Sequence, residues 1–358
     1  MSASALQRLP ELSSGTTDDD IVSQPDGAPI AVTIDGQRLI TRRMDNGSST
    51  SWTLQAQAEN LILRSNGPCS GEPSEAHLLA ALEAAFIQHP QHASLTLSSL
   101  LPRPDHLLRT GIVNWMPNAS PIVFREALWQ QARLWLTNTN EPYPLQYTMT
   151  QGRRHPRRPP KPSGTVYQRR IPWLAGTLSF RTVDPTQDLA LIHRWMNDPV
   201  VSHFWQEEGD LAKHRAYLDG IAADPHVVNL IACFDGEPFG YFEVYWARED
   251  RIAPFYEAHD HDRGWHVLIG EPSFRGKPYL TAWLPSISHY LFLDDCRTQR
   301  LVIEPRADNQ KMIKNLARSG YALLKEFDFP HKRAMLGMLL RERFFGEALW
   351  IPRTDSCA

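Results

Sequence analysis

A mixed α/β fold, with helices on the faces of a central sheet and a smaller α/β domain ahead of it, is predicted by three observations. Strand-like and helical periodicities alternate along the second half of the chain in the order β α α β β β α β α β β. A proline- and arginine-rich break, Gly152–Gly164 (GRRHPRRPPKPSG), separates the halves, because its prolines cannot continue a helix or a central strand. The stretch Asp262–Tyr279 (DRGWHVLIGEPSFRGKPY) reads as strand, basic glycine loop and helix start, an arrangement that aims backbone N–H groups at phosphate.

The totals agree. A chain of 358 residues suggests two domains, and 42% hydrophobic with 22% charged residues excludes a fibrous or wholly disordered class. A net charge of −3 gives no general attraction to nucleic acid or anionic membrane. Cys69, Cys233, Cys296 and Cys357 form no C-x-x-C pair, so reduced thiols are expected rather than a disulfide framework or a zinc site. No apolar stretch approaches ~20 residues, and the N-terminus lacks the apolar core of a signal peptide. A soluble, cytoplasmic protein is expected.

Residues 1–25 are small, polar and acidic and read as a flexible arm. An N-terminal α/β domain then spans 26–150. Ile30–Ile34 and Trp52–Ala56 are strand-like, with turn signals at Asp35-Gly36 and Asn46-Gly47. Glu75–Gln88 has helical periodicity, and Ser120–Leu134 repeats it with Ser120 as N-cap and Pro121 in the first turn. Residues 151–175 read as an extended linker whose arginines either are solvated or meet an anion. The second domain, 176–350, opens with a strand at Thr177–Arg181 and helices at Leu189–Met196 and Gly209–Ala222. Val227–Phe234 and Phe239–Tyr245 form a hairpin through Asp235-Gly236-Glu237-Pro238. An acidic insertion, Ala247–His261, precedes Asp262–Tyr279 and the helix Thr281–Leu293. Leu301–Glu304, a helix at Asn309–Arg318, and strands at Phe327 and Met335–Leu340 complete the unit.

That order, with Arg275-Gly276-Lys277-Pro278-Tyr279 after the fourth strand, resembles the GNAT superfamily of acyl-CoA-dependent N-acyltransferases. The words HRWMNDP (193–199), VSHFW (201–205), FGYFEVYW (239–246), DRGWH (262–266), EPRADN (304–309) and FDFPHKR (327–333) resemble its siderophore-biosynthesis branch, which acylates N-hydroxylated lysine, ornithine or a related diamine. The resemblance covers about Gly176 to Phe345 and implies a GNAT-type mixed sheet, with the N-terminal domain as a degenerate copy of that unit. It implies acyl-CoA, acetyl or succinyl, as co-substrate and no metal. Its pyrophosphate would sit around Phe274, Arg275, Gly276 and Lys277, a backbone N–H near Leu268 would make the oxyanion contact to the acyl group, and Asn309 would be either on the cofactor side or a plain N-cap. His266 is implied as general base, with Glu304 or Asp308 as its carboxylate partner.

An N-hydroxy amine is less basic than an alkylamine and largely neutral at cellular pH. The enzyme therefore needs to orient the nitrogen and accept a proton as the adduct forms. Asn197, His203, Trp205, Glu243, Trp246, Asp262 and Trp265 are expected to wall the acceptor pocket, with the acidic insertion either binding the acceptor's ammonium or solvated. The expected partners are the small-molecule acceptor and pathway enzymes such as a flavin N-hydroxylase and a siderophore synthetase. An aminoglycoside-type N-acetyltransferase and a non-catalytic acyl-CoA-binding scaffold are the competing readings.

Overall fold

Two glycines at positive φ, Gly36 (57°) and Gly47 (72°), turn the chain where the sequence places hairpins. In the computed structural model, residues 21–57, 60–70, 74–98, 105–115, 119–139 and 141–352 are described. The expected N-terminal arm lies outside them up to residue 20. From there the chain is already in the sheet, as β1 (Ile21–Ser23) pairs with β2 (Ile30–Asp35). The strands β3 (Arg38–Arg43), β4 (Ser49–Ala56), β5 (Leu61–Ser70), β6 (Ser94–Leu97) and β7 (Ile122–Phe124) follow in chain order across a seven-stranded sheet. Only β5 and β6 run parallel, through Ile62↔Thr96 and Leu63↔Leu97, and helix α1 (Glu75–Gln88) crosses between them. Every residue of α1 from Ala76 to Phe86 is buried, including the polar His77 and Glu83.

The helix expected over Ser120–Leu134 is a correction. Ile122-Val123-Phe124 joins β6 as β7, and only α3 (Arg125–Trp129) and a 3-10 turn at Ala132–Leu134 are helical. Pairing of this run with β6, which buries Val123, outweighs its 3.6-residue periodicity. A five-residue helix, α2 (Asp105–Arg109), precedes it.

The linker expected at 151–175 is also corrected. Strands β8 (Tyr147–Thr150) and β9 (Arg153–Pro156) form a hairpin, and β10 (Thr165–Ile171) is the first strand of the C-terminal sheet, so that sheet begins before Gly176. Of its basic side chains, Arg154 and Arg157 are exposed, whereas Arg153, Arg158 and Lys161 are held by the folded chain. Arg158 grips Glu249 with Nε and Nη2 at 2.6 and 2.7 Å, Arg153 donates to the carbonyls of Glu249 and Asp250, and Lys161 to that of Ile221.

The remaining elements are β11 (Gly176–Thr182), α4 (Leu189–Met196), α5 (Pro199–Trp205), α6 (Leu211–Ala223), β12 (Val227–Phe234), β13 (Glu237–Trp246), β14 (Arg263–Ile269), α7 (Lys277–Asp294), β15 (Arg300–Ile303), α8 (Gln310–Arg318), β16 (Ala322–Asp328), β17 (Arg333–Leu340) and α9 (Arg341–Gly346). The sheet order is β10-β11-β12-β13-β14-β15-β17-β16. Positive φ at Asp235 (48°) and Gly236 (83°) closes the β12–β13 hairpin, as expected. The described cysteines Cys69, Cys233 and Cys296 are free. No helix among the described residues is long and apolar enough to cross a membrane.

The two units share one core. Trp129 of α3 stacks on Trp350 with centroids 5.3 Å apart, and buried His289 of α7 links the halves, donating from Nε2 to the Trp129 carbonyl (2.7 Å) and accepting from the Tyr167 hydroxyl (3.0 Å). Burial pushes His289 down to about 3, so the ring is neutral and this tautomer is set by its partners. Trp350→Ala should therefore cost about 3–5 kcal/mol and lower the urea midpoint while the whole chain still unfolds in one transition. Two separate transitions in the wild-type protein would contradict a shared core.

Candidate active site

Parallel strands β14 and β15 pair only at Arg263↔Leu301 and Gly264↔Val302. Beyond that point they splay, and the edge of β14 facing β15 has lost its ladder. Continuing the register places residue 304 opposite residue 266. His266 and Glu304 meet there, across the opening of the V.

Strand periodicity supplies the rest. Tyr241, Glu243 and Tyr245 alternate onto one face of β13, and Glu243 is the direct cross-strand partner of His266. His266 Nε2 donates to Glu304 Oε1 at 2.6 Å, and Nδ1 to Glu243 Oε2 at 3.3 Å. Each carboxylate is itself held. Glu243 Oε1 accepts from the Tyr241 hydroxyl (2.9 Å) and the Tyr217 hydroxyl of α6, and Glu304 Oε2 accepts from the Tyr245 hydroxyl (2.7 Å). Tyr245 can lie here because its cross-strand neighbour is Gly264, where a Cβ would come within 2.2 Å of the ring.

Burial by itself would push the His266 imidazolium down, but Glu304 and Glu243 outweigh it and raise it to about 9. Burial likewise opposes ionisation of both carboxylates, yet the imidazolium keeps Glu243 low, and with Lys332 it keeps Glu304 well below the usual range. At neutral pH the centre is thus an imidazolium between two carboxylates. Only about a fifth of the His266 side chain reaches solvent, into a cavity of about 670 Å3.

The loop after β14 is built to hold a fixed shape. Phe274 stacks on Phe239 at 5.0 Å, and Gly276, at φ 122°, precedes the first residue of α7, Lys277. Arg275 does not project as a spare cation. Its Nε and Nη2 bind the carbonyls of Ile269 and Gly270 at 2.9 Å, and it pairs with Asp198 at 3.3 Å. Asp198 also caps α5 through the N–H groups of Val200 and Val201, so loop and acceptor-side helix are joined.

Of the residues expected at the site, His266, Glu304, Glu243, Trp205 and Asn309 line the cavity together. Asn309 also caps α8, so both of its readings hold. Trp265 borders the cavity, but its indole is buried and donates to the Tyr321 hydroxyl. The others lie elsewhere. Asp308 is exposed and tied to Arg306, so Glu304 alone of the two is the partner of His266. Trp246 is buried between the guanidinium groups of Arg158 and Arg263. Asp262 is buried against Arg300. Asn197 binds the backbone of His193 and Gly209, His203 is exposed beside Phe204, and the side chain of Leu268, of which the backbone N–H was expected at the site, packs in the core. Of the acidic insertion, Asp250 reaches the cavity while Glu249 is held by Arg158.

The sequence reading missed Tyr217, Tyr245, Arg251 and Lys332. Period-two spacing with Glu243 could have found Tyr245, and the FDFPHKR word contains Lys332. Nothing local marks Tyr217, which arrives from α6. Away from this cavity, His155, His226 and Glu249 bring ligand atoms within 4.8 Å of one another. A metal there would have to displace Arg158 from Glu249.

A splayed parallel pair followed by a glycine turn into a long helix is the frame of an acyltransferase sheet, and a family model described as Acetyltransferase (GNAT) domain matches residues 184–329. The chain is 41% identical over 316 residues to N(6)-hydroxylysine O-acetyltransferase of Escherichia coli, spanning 87% of this chain and 96% of that one. It is 43% identical over 248 residues to the N(5)-hydroxyornithine:cis-anhydromevalonyl coenzyme A-N(5)-transacylase of Beauveria bassiana, spanning 64% of this chain and 53% of that one. An uncharacterized protein of Bacillus halodurans superposes with a TM-score of 0.50 at 29% identity, covering 52% of this chain and 94% of that structure. The chain belongs to the GNAT family of hydroxylysine and hydroxyornithine acyltransferases.

Glu304→Gln removes the nearer carboxylate, so an NMR titration of His266 should show its pKa falling by about one pH unit or more from about 9. An unmoved titration would eliminate Glu304 as the cause. Asp308→Ala should leave that titration in place, because an exposed ion pair contributes only about 0–1 kcal/mol.

Proposed function

We propose that the protein transfers an acyl group from acyl-CoA to the side-chain hydroxylamine of an N-hydroxylated lysine, ornithine or diamine, forming the hydroxamate of a siderophore. The observation that carries this reading is the Glu243–His266–Glu304 centre at the opening between β14 and β15. The relatives named for hydroxylysine and hydroxyornithine acylation support the acceptor class; none of the site's geometry favours an aminoglycoside.

The residues present fit acyl-CoA. Beyond Gly264, β14 offers an edge without a β15 partner, and the 18-residue α7 begins at Lys277 after the Gly276 cap, where its N-terminus favours a pyrophosphate by about 0.3–1 kcal/mol, or more when partly buried. When bound, the thioester supplies an activated carbonyl. The cavity brings the acceptor nitrogen beside it, with Trp205 and Ile221 along the apolar stem. As the N–C bond forms and the C–S bond breaks, one proton leaves nitrogen and one reaches sulfur. His266 starts protonated, so it acts as the donor towards the leaving sulfur rather than as the initial base. Glu304 takes the acidified proton of the adduct nitrogen, and the pair returns to its starting charge by passing that proton to His266. A neutral hydroxylamine suits this centre because no strong base is needed before attack. An N-hydroxylating reaction must supply the acceptor, which is where a flavin N-hydroxylase fits. A cytoplasmic site and a downstream siderophore synthetase belong to the same proposal.

Incubation with acetyl-CoA or succinyl-CoA and N-hydroxylysine, N-hydroxyornithine or N-hydroxycadaverine should yield a product that gives the ferric hydroxamate colour. O-acylation gives no such colour, and acetylation of aminoglycosides alone would end the proposal, as would CoA binding without turnover on any amine. His266→Ala should lower kcat by about 10²–10⁴. The kcat–pH profile should fall on the alkaline side near pH 9, where His266 loses its proton, and Glu304→Gln should move that limb to lower pH. A limb that stays in place would show that His266 is not the group titrating.

A further inference from the structure

The cavity at His266 has a charged end. Arg251, on the connection between β13 and β14, and Lys332, on the turn between β16 and β17, both line it. They converge on the same atoms. Arg251 Nη2 lies 3.8 Å from Glu304 Oε1, and Lys332 Nζ lies 3.9 Å from that same oxygen. Both also sit over the ring of Phe329, each 5.4 Å from its centroid. Two cations thus flank the oxygen that accepts from His266 Nε2.

Glu304 does not need both as counter-ions. Its Oε1 accepts from His266 at 2.6 Å and its Oε2 from Tyr245 at 2.7 Å. Lys332 is anchored, donating to the Glu304 carbonyl at 2.8 Å. Arg251 is not. Its guanidinium stands beyond hydrogen-bond reach of Glu304, about half of its side chain is exposed, and none of its N–H groups meets an acceptor among the described residues. The third cation on this wall, Arg306, is closed off by Asp308, which it binds through Nε and Nη2 at 3.0 and 2.7 Å. Asp250, next to Arg251 in sequence, lines the same cavity. Its Oδ1 accepts from the Ile252 N–H at 2.9 Å, and no hydrogen bond ends on its Oδ2 among the described residues. Burial and Glu304 raise the Asp250 carboxyl above its ordinary value, so a cation beside it is favoured.

A planar fork of unpaired N–H donors beside an acid with one unpaired oxygen matches the two charges that an α-amino acid carries on one carbon. We propose that Arg251, assisted by Lys332, binds a carboxylate on the acceptor while Asp250 takes the ammonium beside it, so that the enzyme selects an N-hydroxylated α-amino acid over the diamine that lacks only the carboxylate. The reach agrees. Five bonds separate the hydroxylamine nitrogen of hydroxylysine from its α-carbon, roughly 6 Å when extended. That is comparable with the two steps from His266 to Glu304 Oε1 and on to Arg251, 2.6 and 3.8 Å. An acyl chain ending in a carboxylate, as in succinyl-CoA, offers the same anion but no ammonium for Asp250, which favours the acceptor. The inference rests on the acyl-transfer reading of this cavity and specifies the acceptor.

N-hydroxylysine and N-hydroxycadaverine differ only by the carboxylate, and 6-(hydroxyamino)hexanoate lacks only the ammonium. With acetyl-CoA, kcat/KM for hydroxylysine should exceed that for hydroxycadaverine by about 10–100-fold. Arg251→Met should bring this ratio close to one, through KM rather than kcat, and Arg251→Lys should restore part of it. Asp250→Asn should narrow instead the gap between hydroxylysine and 6-(hydroxyamino)hexanoate. Each ratio compares two substrates on one sample, so a partly unfolded variant does not distort it. Equal kcat/KM for hydroxylysine and hydroxycadaverine in the wild type, or a ratio that Arg251→Met leaves in place, would overturn the proposal while acyl transfer stands. A change only in the preference for succinyl-CoA over acetyl-CoA would assign Arg251 to the acyl group and overturn it as well. No hydroxamate from any of the three compounds would remove the acyl-transfer reading and this proposal with it.

Discussion

A charged imidazole buried between two glutamates is the constraint on which the rest of the C-terminal unit depends. Desolvation opposes all three charges, and only close approach with further hydrogen bonds makes the arrangement tolerable. Each supporting element answers part of that demand. The β13–β14 register sets Glu243 beside His266, the end of β15 brings Glu304 to the other nitrogen, and three tyrosines saturate the carboxylate oxygens. The absent side chain at Gly264 makes room for the third of them. Removing any one member would strand a charge.

The same logic explains two features that look functional in isolation. A run of arginines suggests an anion, and an acidic insertion suggests a cationic substrate. In the folded chain they answer each other, with Arg158 on Glu249 and Arg153 on the backbone of the insertion, and with Trp246 sandwiched between Arg158 and Arg263. Opposite charges far apart in sequence stay invisible as a pair until the sheet brings them together. The clamp leaves Asp250, and not the whole insertion, facing the cavity.

The N-terminal unit repeats a motif of the C-terminal one in reduced form. Strands β5 and β6 run parallel for two residue pairs with α1 crossing between them, as β14 and β15 do with α7. In the N-terminal unit the helix is buried throughout from Ala76 to Phe86, its two polar members His77 and Glu83 being hydrogen-bonded to Thr41 and Ser23.

Much of this was legible in the chain. Period-two and 3.6-residue patterns located most strands and helices of the second half, the Asp235-Gly236 turn named its hairpin, and the resemblance pointed to His266, Glu304, Glu243, Trp205 and Asn309. Local chemistry determines such features, since turn type, strand face and helix caps are properties of short segments. The tertiary structure alone decided that Glu304 and not Asp308 meets His266, that the histidine is held protonated, and that Arg275 ties the loop down instead of projecting from it. Those outcomes depend on where β14 and β15 part, on which hydroxyls arrive from α6 and β13, and on burial, none of which is a property of neighbours in sequence. Asp262–Tyr279 thus carried its element types in its residues, while the charge state of its histidine was set by glutamates on two other strands.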